Sequence, residues 1–311
     1  MVTKNYYNNY LPSYAENVFP AAREAITTGK FHDMFMAGDG HELEDYTDQN
    51  GNLRLANAKA VHSSSMLAYN FFHWVSPKHP LTWNGVTYDK VYFEVKFPVM
   101  AKCSNGRPVN RPSNMDVVLI SDDCETMLCI ESKYTEHTHR QPAEFADAYF
   151  MHDCYYRGNP FISSFIHAAL RYNEKKNGYY AGIKQNVSHL IGVTNIRYDA
   201  DALAWFRDNN PFIEPEVKEQ ICSGTGVFFI NLLYIRPEDV KNMYGNIHAP
   251  YKTYPCMLSY FQFDYCSRLE LEFLPYSIFE TYPEFFAEVQ DQMPAGLADY
   301  LDNRYNLVEH K

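Results

Sequence analysis

Two apolar runs separated by a short acidic turn stand near the middle of the chain. Met115, Val117, Val118, Leu119 and Ile120 belong to the first run, and Met127, Leu128, Cys129 and Ile130 to the second. Asp122, Asp123 and Glu125 between them are ordinary turn residues. The pattern predicts a β-hairpin of two buried strands. Val91-Tyr92-Phe93-Glu94-Val95-Lys96-Phe97 alternates apolar and polar positions and predicts the first strand of the sheet. Residues 191–194 and 226–235 predict two more, the second long and apolar enough for a sheet interior, and 260–265 and 269–273 alternate again. Helical spacing predicts a helix over 57–75, with Ala60, Leu67, Ala68, Phe71 and Phe72 on one side. Further helices are expected over 142–156, 161–175, 181–190 and 201–207, and through 280–308 as cover for the sheet. Strands and helices interleave throughout. The expected class is α/β, a mixed sheet flanked by helices, with the hairpin near its centre and one domain over residues 1–311.

Composition narrows the setting. With 311 residues and 46% hydrophobic content the chain buries a substantial core. No apolar run approaches the roughly 18 to 20 residues that span a bilayer, so no membrane partner is expected. The start Met-Val-Thr-Lys-Asn-Tyr-Tyr lacks the apolar stretch of a secretory signal, which points to the cytoplasm. Seven scattered cysteines form no CxxC pair, so reduced thiols are expected rather than a disulfide framework or a zinc site. The 26 tyrosines fill core positions or stack on bases. A net charge of −11 opposes a polyanionic partner unless charge is segregated. Lys96, Lys102, Arg107, Arg111, Lys133 and Arg140 cluster in sequence around the hairpin and would supply a basic rim.

The hairpin also carries chemistry. Alternation puts Glu131 and Lys133 on one face of the second strand and Ser132 on the other, and the turn brings Asp116 on the first strand beside Glu131. Two converging carboxylates suit a hard ion such as Mg²⁺, which keeps several waters and engages a phosphate oxygen. An adjacent lysine would orient water or offset charge developing on phosphorus. These are the parts of phosphodiester hydrolysis.

Asp116 followed by Glu131-Ser132-Lys133 resembles the signature of the PD-(D/E)xK nuclease superfamily. The phrases His62 to Phe72, Asn114-Met115-Asp116-Val117-Val118, Glu131 to Glu136, and Gln185 with His189 before Leu190-Ile191-Gly192 resemble uncharacterised restriction-endonuclease-related proteins of bacteria. Met115 stands where the signature has proline. The resemblance implies a restriction-endonuclease-like fold, with a core over about residues 35–235 and a C-terminal elaboration over about 236–311. It implies a Mg²⁺-dependent nuclease, with Mn²⁺ as a substitute, whose partner is nucleic acid, DNA foremost, and leaves a homodimer open. Asp116 and Glu131 would bind metal, Lys133 would position or activate water, and Gln185 would orient phosphate. Glu42 would be a third acid, or else a first-turn glutamate complementing a helix dipole. Glu94 rivals Glu42, or is an outward-facing strand residue. Gln185 and His189 share a helix face and form either a site pair or a surface pair. Ser63, Ser64 and Ser65 cap a helix or bond phosphate, and His137 and His139 read as surface residues. A binding module that keeps the fold without cutting is the alternative function.

Overall fold

The computed structural model describes residues 64–99, 101–102, 108–109, 112–134, 188–189, 192–193, 195–196, 200–223, 226–234, 237 and 279–308. The expected sheet is present. It contains β1 (Leu81–Trp83), β2 (Val86–Phe97), β5 (Ser113–Ser121), β6 (Thr126–Lys133), β7 (Gly226–Leu233) and β8 (Phe279–Thr281), in that spatial order. A two-stranded ribbon of β3 (Ala101–Lys102) and β4 (Pro108–Val109) lies between β2 and β5 in sequence. The first three pairings are antiparallel and the last two parallel, so the sheet is mixed and the class is α/β.

The hairpin forms as its pattern predicts. Cys124 takes φ 59° in the turn, Asp123 accepts the Ser121 hydroxyl at 2.5 Å and the Glu125 amide at 2.9 Å, and the Ser121 oxygen accepts the Thr126 amide at 2.9 Å. A second hairpin, β1–β2, turns on Asn84 and Gly85 with φ of 48° and 77°. That pair of positive φ values is what a tight two-residue turn demands and what Asn-Gly supplies. The dipeptide was the available signal for β1.

Continuous apolar runs on β5 and β6 follow from burial on both faces. Val117 and Leu119 face one core, Val118 and Ile120 the other, and none exceeds 1% exposure. The first core holds α1 (Ser64–Phe72), α4 (Tyr282–Val289) and α5 (Leu297–Tyr305), where the ring of Phe71 meets Tyr282, Phe285 and Phe286. Tyr88, Tyr134, Tyr234, Tyr282 and Tyr305 are fully buried, so tyrosine here is core material. The C-terminal helices cover the sheet as expected, and β8 adds a strand to its edge. On the other side, α2 (Ala200–Asn209) stacks Phe206 on Phe97 at 5.4 Å, and α3 (Pro215–Ser223) follows it. No helix among the described residues is long and apolar enough to cross a membrane.

One expected strand is a helix. Gly192, Val193, Asn195 and Ile196 are helical, not extended. Val193 and Ile196, three apart, are each 1% exposed, and a short apolar run fits a buried helix as well as a strand. Gly192 also approaches β2 closely, since a Cβ on it would sit 2.6 Å from Phe97 Cβ. The expected elements at 142–156, 161–175, 260–265 and 269–273, with His137 and His139, lie outside the described residues.

Asn210, fully buried after α2, serves as a substitute strand for the end of β2. Its Oδ1 accepts the Lys96 amide at 2.8 Å, and its Nδ2 donates to the Lys96 carbonyl at 3.0 Å and to the Phe206 carbonyl at 2.9 Å. Asn210→Ala strands these groups and should lower stability by about 1–3 kcal/mol, read from the denaturation midpoint.

Glu280 on β8 predicts a pH effect. Burial, then the charge and hydrogen bond of Glu284, then Glu288, push its carboxyl from the ordinary 4.5 up to about 8. Between those values the native state keeps a proton that the unfolded chain has lost, so stability falls as pH rises through this window. The melting temperature should therefore drop from pH 5 to pH 8, and Glu280→Gln should flatten that slope.

Candidate metal site at the parting of two strands

The pairing of β5 with β6 ends at Val117 opposite Ile130, although both strands continue. β5 stays with β2 as far as Ser113 opposite Phe97, and β6 stays with β7 as far as Lys133 opposite Leu233. The sheet therefore opens between them, and the residues next along each strand are Asp116 and Glu131. Val117 and Ile130 face the α1 core, so strand alternation starts both acids toward the opposite side. In the opening Asp116 Oδ2 accepts the backbone N–H of Ser132 at 2.7 Å, in place of the missing strand partner.

Glu131 is fully buried and both of its oxygens are engaged. Oε1 accepts the Lys133 ammonium, and Oε2 lies 2.7 Å from His189 Nε2. The other imidazole nitrogen, Nδ1, bonds the hydroxyl of Ser113. Burial alone would raise the Glu131 carboxyl, but the charges of Lys133 and then His189, with their hydrogen bonds, hold it below the ordinary glutamate value. Ser132 points to the other face, where its hydroxyl donates to the Ser64 carbonyl at 3.0 Å and meets the Tyr282 hydroxyl at 2.8 Å. The expected split of Glu131 and Lys133 from Ser132 is thus observed.

Glu94 adds a detail that alternation hides. It sits between Phe93, opposite Val117, and Val95, opposite Met115, which sets it level with Asp116 across the β2–β5 pair. Its φ is 51°, a left-handed conformation inside a strand, and it is half-buried. Glu42 and Gln185 lie outside the described residues. Among the described residues, no group of three or more His, Cys, Asp or Glu side chains is placed to hold a metal ion. The carboxylates that meet there are two, Asp116 and Glu131 on neighbouring strands, and Asp116 Oδ2 and both oxygens of Glu131 already have partners within the protein.

Ser113, His189 and Glu131 have the composition of a nucleophilic triad. Ser113 is nevertheless buried at the start of a sheet strand, without the strand-turn-helix elbow that exposes a serine nucleophile. Its hydroxyl holds the imidazole. The contact of His189 with Glu131 spans 58 residues of sequence, and only the helix face that His189 shares with Gln185 hinted at it.

Residues 5–186, more than half of the chain, match the family model described as Restriction Endonuclease associating with ARP. The chain belongs to that family. No curated protein and no solved structure matches it. The match to the REase-ARP model takes in Glu42, Asp116, Glu131, Lys133 and Gln185, and ends just before His189. Strand β7, which pairs along the whole of β6 behind Glu131, also lies beyond the REase-ARP match.

Proposed function

We propose that the protein is a Mg²⁺-dependent nuclease of the PD-(D/E)xK type, built on a restriction-endonuclease-like sheet and acting on DNA. The observation that carries this reading is the parting of β5 and β6, which leaves Asp116 and the buried Glu131 next to each other on neighbouring strands. The REase-ARP family supports it. Asp116 and Glu131 hold the ion, with Glu42 as a further carboxylate and Mn²⁺ as a substitute metal. The bound ion supplies a water of lowered pKa and offsets charge on the phosphoryl group. Lys133, already against Glu131, orients the attacking water or neutralises the phosphate. Gln185 orients the phosphate.

The acidic net charge is unevenly distributed along the sequence. From Val95 to Met115, the stretch that leads into Asp116, there are four basic residues and no acidic one. This run is the phosphate-contacting segment in our reading. The test is incubation of folded protein with supercoiled, linear and single-stranded DNA and with RNA, in Mg²⁺ or Mn²⁺. Metal-dependent cleavage of DNA is expected, and intact substrates throughout would refute the assignment. A second reading, a non-cleaving nucleic-acid- or protein-binding module, draws on the net charge of −11 and on Glu131 having both oxygens already bonded, as in a structural ion cluster. It predicts binding without turnover and without metal dependence.

A further inference from the structure

Ser188, His189, Gly192, Val193, Asn195 and Ile196 are helical, and two of them touch residues at the end of β2. Gly192 lies so close to Phe97 that a Cβ would come within 2.6 Å of it. Asn195 Nδ2 donates to the Pro98 carbonyl at 3.0 Å, and Val193 and Ile196 are each 1% exposed. These contacts fix where His189 stands. Fully buried itself, His189 reaches from that helix to Glu131 on β6 and to Ser113 on β5, and so bridges the two strands at the place where their own pairing has ended.

We infer that His189 is a positioning residue for the metal-binding carboxylate, with Ser113 setting its ring. The inference rests on the metal-dependent reading given above and assigns His189 a part in it. An imidazole that donates from Nε2 to Glu131 holds one carboxylate oxygen in a fixed direction. Ser113 on Nδ1 fixes the ring so that this N–H stays aimed at the acid. Such partners act on a metal site through its ligands, and losing one costs about 10- to 100-fold in metal affinity. The helix seat gives the arrangement its precision. A bulkier residue at 192 would press on Phe97, which a Cβ there would approach to 2.6 Å.

The test is Mn²⁺ affinity by titration calorimetry on the full chain, alongside thermal melts, for the parent, His189→Leu, His189→Gln and Ser113→Ala. His189→Leu should weaken Mn²⁺ binding about 10- to 100-fold. His189→Gln, whose side-chain amide can still donate to Glu131, should recover most of that loss, and Ser113→Ala should fall between leucine and parent. A purely structural histidine would lower the melting temperature but leave the affinity of the folded variants unchanged, which would overturn the inference. Should His189→Leu fail to fold, Ser113→Ala decides, with parental affinity counting against the inference. A parent protein that binds no Mn²⁺ would refute the metal reading itself. Parental binding with unaltered variants would refute only the role of His189.

Discussion

Asp116→Asn should abolish metal binding and lower DNA cleavage by more than about 10³-fold, because it removes one of two proposed ligands and the ion contributes several kcal/mol of charge stabilisation. The substitution isolates charge from structure. Asp116 Oδ2 accepts the Ser132 amide at 2.7 Å, and the carbonyl oxygen of asparagine can accept the same bond. Asp116→Ala would leave that N–H without its acceptor, at a cost of about 1–3 kcal/mol, and would confuse lost ligation with lost strand geometry. The asparagine variant should therefore melt close to the parent while Mn²⁺ calorimetry shows no binding. A variant that keeps its metal and its activity would take Asp116 out of the site.

Lys133→Met is expected to lower cleavage by roughly 10² to 10³, the effect of removing one preorganised electrostatic group, and to cost stability as well. Lys133 is 6% exposed and bonded to Glu131, so it is no decoration on an exposed strand end. Removing one partner of a buried ion pair typically costs about 3–5 kcal/mol. His189 still holds the other oxygen of Glu131 and places the expected loss at the lower end. Methionine keeps most of the volume, so the loss reads as charge rather than cavity. Metal affinity should largely survive, since Asp116 and Glu131 remain. Lys133→Arg, which preserves the charge, should restore stability more fully than rate, because its planar fork places donors differently. A Lys133→Met protein that cuts at the parental rate would limit Lys133 to a structural role.

Local pattern and local turn chemistry account for what was readable in advance. The β5–β6 hairpin, the shared face of Glu131 and Lys133, the strand expected over 226–235 and found over 226–233, and the helix expected over 201–207 and found over 200–209 all follow from period and punctuation within a few residues. So does the nearness of Asp116 and Glu131, because an antiparallel hairpin fixes its own register. The parts that were not readable depend on distant contacts. Residues 191–194 have the apolar content of a strand, and a short apolar run does not by itself separate a buried helix from a strand. Glu94 fits a plain alternating strand, and nothing local marks its φ of 51°. His189 meets Glu131 through a helix seated on β2, a contact that no spacing rule encodes. The burial of Lys133 was hidden for the same reason, since β7, which pairs with its strand, is supplied by later sequence.

The most direct test of the account is an anomalous difference map from a crystal of the protein soaked in Mn²⁺. The proposed site predicts a peak between the carboxylates of Asp116 and Glu131, within coordinating distance of both. Ordered density for both side chains without a peak, and with Glu131 still bonded only to Lys133 and His189, would contradict it and leave a structural ion cluster in its place.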